Sequence, residues 1–334
     1  MSENPKKFPL LCLPSIAAEH VIRTMKLRDM FILSLISTRA KYLLNYSLPK
    51  NHAHIKCSLV GREHFDIQFF PGLTNVIRFI HEKEQDHVAQ AGGYNSYKLH
   101  DIQCKFFFPR GVPMKILSEK PFEIAARGFI AHLAESYHSP KISIDFGRVV
   151  TPGAALALLN CVKALHLPME KIMLGTTNTP EEVYRAFLDA GSKISQQLFL
   201  RSEVTPDFQY SPSETFKLDL FHIGDGDWVH VQDYMECRSI VVDNKTANSI
   251  MYSSNAQRLN EFFKVWQRSS CRLERLQICV SHSQELNFEE LTMGLNGTNF
   301  TRNDEFQSVD IEREDGRKAV IQLTQFFLTL RKRN

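Results

Sequence analysis

The side chains best suited to chemistry are few and widely spaced in this 334-residue chain. Gly224-Asp225-Gly226 has part of the spacing of a dinucleotide-binding loop, but Val229 stands where the third glycine belongs, so a turn is expected there. His52, His54 and Cys57 could make one corner of a zinc site. A tetrahedral centre needs a second liganding pair nearby, and without one these residues fit a surface or strand-edge role. Asp225 with Asp227 offers hard oxygens, yet no spaced loop of ligands follows to wrap a cation. There is no GxxxxGK[ST] phosphate loop, no GxSxG elbow and no HExxH pair. Neither catalytic residues, nor a metal, nor a cofactor is expected, so the elements themselves must carry the function.

Composition sets the class of those elements. With 43% hydrophobic residues, 24 Phe and 23% charged residues, the chain can bury a proper core. Its net charge of +3 argues against nucleic acid as a partner, but the charge is unevenly placed. Residues 1–50 hold eight Lys and Arg against three acids, a balance of +5, which leaves −2 for the remainder. An acidic protein partner for the first segment would fit. The seven cysteines include no CxxC pair, which fits reduced thiols in the cytosol, the nucleus or both. The apolar stretch Met30 to Ile36 is bounded by Lys26, Arg28, Asp29 and Arg39, and no run approaches the ~18 apolar residues of a span, so no membrane partner is expected. The sequons at Asn45, Asn244, Asn296 and Asn299 then carry no glycan.

Phe8-Pro9-Leu10-Leu11-Cys12-Leu13-Pro14 leads into three short helical stretches. Pro14 suits the opening of the first, where a missing N–H costs nothing, and Ile16, Val21, Thr24 and Met25 trace its stripe. In Asp29 to Ser37, Met30, Leu33, Ser34 and Ser37 lie on one side and Phe31, Leu35 and Thr38 on another; Thr38 to Leu44 closes the unit. Apolar residues on more than one face of so short a helix predict a self-contained hook that packs with one face and meets a partner with another.

The run Leu13-Pro14, Val21-Ile22, Met25, Arg28-Asp29-Met30 and Leu33-Ser34-Leu35-Ile36-Ser37 is similar to the F-box motif, particularly its divergent form in large nematode families. It covers about a tenth of the chain. Leu27 stands where a Pro is common, Lys26 replaces an Asp or Ser cap, and Ala40 a frequent Trp. The resemblance implies that residues 8–46 bind a Skp-type adaptor and through it a cullin scaffold. Leu13, Pro14, Val21, Ile22, Met25, Phe31, Leu33 and Ile36 would be the adaptor-binding set, some facing the adaptor and some holding the helices together.

Residues 47–114 read as a β-rich linker region. Ile55 to Val60 and Phe65 to Phe70 form strands about a turn at Gly61-Arg62-Glu63, followed by a polar loop over 82–98 with Gly92-Gly93. Residues 115–334 read as an α/β domain. Strands at Ile142–Phe146, Lys171–Gly175, Gln197–Arg201, Phe216–Phe221, Arg238–Val242 and Arg272–Val280 interleave with helices at 152–166, 180–190 and 256–268, and Asn287 begins a last helix. The expected fold is α+β or α/β: a three-helix module, then an irregular leucine-rich-repeat-like domain with a parallel or mixed sheet. It would end in an antiparallel hairpin about Asp315-Gly316, with Arg331-Lys332-Arg333 as a solvated tail.

Within residues 216–282, Arg238-Ser239-Ile240-Val241-Val242, Leu259-Asn260-Glu261-Phe262-Phe263-Lys264-Val265-Trp266 and Leu273-Glu274-Arg275-Leu276 resemble the type-2 F-box-associated domain of nematode proteins. Phe262, Phe263 and Trp266 are expected to be core. Together the two resemblances imply a non-catalytic substrate-recognition adaptor of an SCF-type ubiquitin ligase, holding an unknown protein target. The alternatives are an interaction scaffold unrelated to ubiquitination and an α/β enzyme with an unfamiliar site.

Overall fold

Alternating apolar and polar residues make β1 (His54–Leu59) and β2 (His64–Phe70) antiparallel neighbours in which Ile55, Cys57, Ile67 and Phe69 face one core. The computed structural model describes residues 12–59, 64–70, 76–81, 95–100, 102–107, 114–194, 196–205, 207–226, 228–243, 256–280, 286–303 and 305–333. Phe8 to Leu11, the turn at 61–63, Gly92-Gly93, Asp227 and Asn244 lie outside them. The chain forms two units, 1–169 and 170–334.

In the first unit β1 also pairs in parallel with β7 (Lys141–Phe146), and β2 pairs with β3 (Val76–His81). The sheet continues through β6 (Met114–Ser118) and β5 (Ile102–Phe107) to β4 (Asn95–Leu99). Helices α1 (Ser15–Thr24), α2 (Leu27–Ile36), α3 (Thr38–Ser47), α4 (Phe122–Ser136) and α5 (Pro152–Ala164) complete it.

Two features of this unit depart from expectation. The end of the supposed loop over 82–98 is β4, whose polar residues hide its nature because a neighbour stabilises it: Tyr97 faces Cys104 across the pair and meets Phe106 edge-on at 5.2 Å. No helix is expected over 122–136, yet α4, the longest helix described, forms there on a buried stripe of Ala125, Ala126, Phe129, Ile130 and Leu133.

In the second unit five parallel strands run in order: β8 (Met169–Leu174), β9 (Gln197–Leu200), β10 (Leu220–Ile223), β11 (Ser239–Val242) and β12 (Arg275–Cys279). Helix α6 (Glu181–Ile194) joins the first two, and α7 (Ala256–Arg268) precedes β12. Phe216 and Leu218, expected in the fourth strand, are buried coil ahead of it, and Leu273-Glu274 precede β12 rather than entering it. The sheet then turns antiparallel through β16 (Phe327–Lys332), β15 (Lys318–Thr324), β14 (Phe306–Glu312) and β13 (Gly297–Arg302). The hairpin of β14 and β15 forms around Gly316, whose φ of 83° suits glycine. It is interior to the sheet rather than an edge pair. Arg331-Lys332 is strand rather than tail, because Leu328 and Leu330 alternate with it into the core. The whole is α+β with mixed sheets.

The aromatic stripe of α7 is core, as expected: Phe262, Phe263 and Trp266 are buried. Asn260 on the same helix is buried too, and its amide donates to the carbonyls of Leu291 and Met293, both at 2.9 Å, at the end of α8 (Phe288–Thr292). Asn260→Ala strands both acceptors and is expected to cost about 1–3 kcal/mol. Half-exposed Val265 on the outer side serves as a control, with Val265→Ala within about 0.5 kcal/mol. Tryptophan fluorescence in urea measures both, since Trp228 and Trp266 lie in this unit.

Candidate partner-docking face of the N-terminal helices

Helix α1 begins after Pro14, whose carbonyl accepts the Ala18 amide at 2.9 Å, and ends at Met25. Lys26 caps α2 with its backbone alone, while the Ser37 hydroxyl accepts the Ala40 amide at 3.1 Å to cap α3. These caps set where each short helix begins, and the fate of each apolar residue then depends on what lies opposite.

Helix α2 is less of a free hook than its sequence suggests. Met30, Phe31, Ser34 and Leu35 are all buried, so both of its apolar sides pack within the first unit. The Phe31 ring lies 5.2 Å from Phe129, 5.8 Å from His132 and 6.0 Å from Phe69. The Tyr137 hydroxyl donates to the Leu27 carbonyl at 2.8 Å, and Ser34 Oγ sits 2.7 Å from His132 Nε2. Burial pushes the His132 pKa down to about 4, with the Lys41 charge adding to it. The other helices are tied less deeply: Lys41 pairs with Glu135 at 2.6 Å, and Arg23 with Glu19 at 2.5 Å. Part of the local positive charge is therefore neutralised internally.

The eight expected docking residues divide accordingly. Ile22 and Phe31 are buried and hold the helices in place. Leu13, Val21, Met25 and Leu33 are half-buried, whereas Pro14 is exposed and Ile36 is 60% exposed. Three residues that were not in that set are open as well: Ile16 at 82%, and Tyr42 and Tyr46 at 72% and 85%, one turn apart on α3. Four of the eleven exposed large apolar side chains described fall in these three helices. Tyrosines one turn apart were visible in the sequence; their exposure was not.

Elsewhere the candidate chemistry resolves into structure. His54 bonds Ser143 Oγ at 3.0 Å and stacks on Phe70, Cys57 is buried, and no cluster of three or more metal-ligating side chains occurs among the described residues. Gly224-Asp225-Gly226 is a turn: a Cβ at Gly224 would lie 3.0 Å from Arg201 Cα, and Asp225 accepts the Val204 amide and, through its carbonyl, the Trp228 indole. All seven cysteines are free thiols, and burial pushes Cys57, Cys104 and Cys237 up to about 12, beyond easy ionisation.

Two features were hidden because they join residues distant in sequence. His222 Nε2 lies 2.6 Å from Asp243 Oδ2 across β10 and the end of β11, and buried Arg313 bonds the Cys271 carbonyl and Asp315 while lying over Trp266. A cavity of about 290 Å³ is lined by residues 229–232 and by Arg258, Leu259, Glu261 and Phe262 of α7. Its lining holds an imidazole and a carboxylate but no hydroxyl or thiol nucleophile. No helix described is long and apolar enough to cross a membrane. Comparison with protein-family models, curated proteins and solved structures gives no match for this chain.

Proposed function

We propose that the protein is a non-catalytic substrate-recognition subunit of an SCF-type ubiquitin ligase, acting in the cytosol or nucleus. Its N-terminal helices dock a Skp-type adaptor, which links it to a cullin scaffold, and its C-terminal unit binds the protein to be modified. The observation carrying this reading is the outward set on the three helices, Pro14, Ile16, Ile36, Tyr42 and Tyr46, in the segment that resembles an F-box. Exposed Lys26 and Arg39 give that surface a basic rim suited to an acidic adaptor. The parallel run β8 to β12 supports an irregular leucine-rich-repeat-like curve for the target-binding unit. Catalysis in this scheme is proximity: a tethered lysine meets a charged conjugating enzyme at high effective concentration.

Co-purification of the full chain with a Skp-type adaptor tests the reading. Pro14→Ala with Ile36→Asp is expected to weaken capture at least about tenfold, an ordinary effect for losing an interface anchor, with unfolding by urea unchanged. No capture by the unaltered protein would end the proposal.

A second reading has its own support. The buried contacts of Phe31, Leu27 and Ser34 make α2 part of the first unit's core, as in a scaffold whose helices pack at home and meet no ubiquitin machinery. Deleting residues 1–50 is then expected to unfold that unit while leaving tryptophan fluorescence of the other intact.

A further inference from the structure

Strand register in the C-terminal unit sorts its side chains onto two faces. On one, Leu198, Phe221, Ile240 and Leu276 are buried. On the other, Met173, Phe199, His222, Val241, Gln277 and Thr329 stand in one continuous row across β8 to β12 and β16. That second face is partly open: Phe199 and Thr329 are buried, Met173, His222, Val241 and Gln277 are half-exposed, and Arg275 and Arg331 beside them are exposed.

Arg275 and Arg331 are direct partners across the antiparallel pair β12 and β16. Opposed side chains on such a pair have Cβ atoms about 5 Å apart, and like charges there repel. Nearby acids are committed elsewhere. Glu274 is held by Arg238 at 2.8 Å and Lys332 at 3.2 Å, Asp243 by His222, and Asp310 by Arg333 at 2.8 Å. Among the described residues no carboxylate pairs with Arg275 or Arg331; the Arg275 guanidinium reaches only the Gln277 amide oxygen at 2.6 Å. Further along the same face, Lys171 lies 4.1 Å over the Phe199 ring and Arg201 at 6.0 Å, so the apolar part of the row is rimmed by cations as well.

From this arrangement we infer that the open sheet face binds an acidic, extended segment of a partner protein. A carboxylate of that segment seats between Arg275 and Arg331, relieving their repulsion, and an apolar side chain rests over half-exposed Val241. The inference rests on the proposed role of this unit in target recognition and names the class of target: a carboxylate-rich protein segment with interspersed apolar residues.

The test uses the full chain and a fluorescein-labelled dodecapeptide of Asp, Glu and Leu, read by fluorescence anisotropy, with a Lys/Leu peptide and a dT12 oligonucleotide as controls. The acidic peptide is expected to bind and the Lys/Leu peptide not to. Arg275→Gln with Arg331→Gln is expected to weaken binding at least about tenfold, the loss of one charge-assisted contact. The single change Arg331→Gln should leave the urea midpoint equal or higher, as relief of repulsion requires; a lower midpoint would make the arginine structural and overturn the inference. Absence of peptide binding, equal binding by the double variant, or tighter binding of dT12 would each overturn it. Capture of the Skp-type adaptor by the same double variant keeps the two readings apart. Adaptor retained with peptide lost supports the inference, and adaptor never captured with peptide bound sinks only the ligase reading.

Discussion

Phe31→Ala lowers the stability of the N-terminal unit by about 3–5 kcal/mol, the cost of removing a buried aromatic side chain and leaving a cavity. Phe31 is fully buried on α2, and its ring meets Phe69 of β2 together with Phe129 and His132 of α4, so no single neighbour can move to fill the space. Ile36, the last residue of the same helix, is the contrasting case. At 60% exposure, its truncation to alanine should change stability by no more than about 0.5 kcal/mol. Both tryptophans belong to the other unit, so the readout is hydrogen exchange at the amides of β1, β2 and α4. If Phe31→Ala left that exchange unchanged and only weakened a partner, Phe31 would be a contact residue and the division of the docking set drawn above would be wrong.

Acidification from pH 7 towards pH 4 is expected to loosen the same unit. His132 is buried on α4 with Nε2 against Ser34 Oγ, and its Nδ1 has no partner among the described residues. Burial, then the charge of Lys41, lowers its pKa from 6.5 to about 4; Glu135 opposes this and His100 adds to it. The unfolded chain therefore takes up the proton first as pH falls. The stabilising contribution is complete above about pH 6.5 and is lost as pH falls through the folded value near 4, a change of about 3 kcal/mol. Glu135 works in the same direction lower down: burial raises its pKa, but hydrogen bonds and charge from Lys41 and His100 outweigh that and hold it below the usual carboxylate range. Urea unfolding followed by exchange at pH 7.5, 6 and 5 gives the slope, and His132→Gln should flatten it. Equal slopes in the two proteins would mean that another group carries the acid sensitivity.

The elements whose own residues alternate or repeat were readable directly. The strands β7, β8, β9 and β11, the helix α7 with its aromatic stripe, and the turn at Gly316 all fall within a residue or two of where local pattern puts them. Strands β4 and β16 were not readable, because a polar or basic strand is held by the neighbour it pairs with, which is distant in sequence. Helix α4 has an apolar stripe of its own, a local signal of the same kind as that of α7.

The N-terminal helices show the same division. By itself the sequence determined that Leu13 to Ile36 form short helices with apolar residues on several sides, since helical period and capping are local properties. Only the tertiary structure decided that Phe31 and Ile22 face inward while Pro14, Ile36, Tyr42 and Tyr46 face out. The same holds for Arg275 opposite Arg331 and for His222 beside Asp243. Which side of a helix is covered, and which strand residue stands opposite another, depends on packing and register between segments tens of residues apart, and no local pattern contains that information.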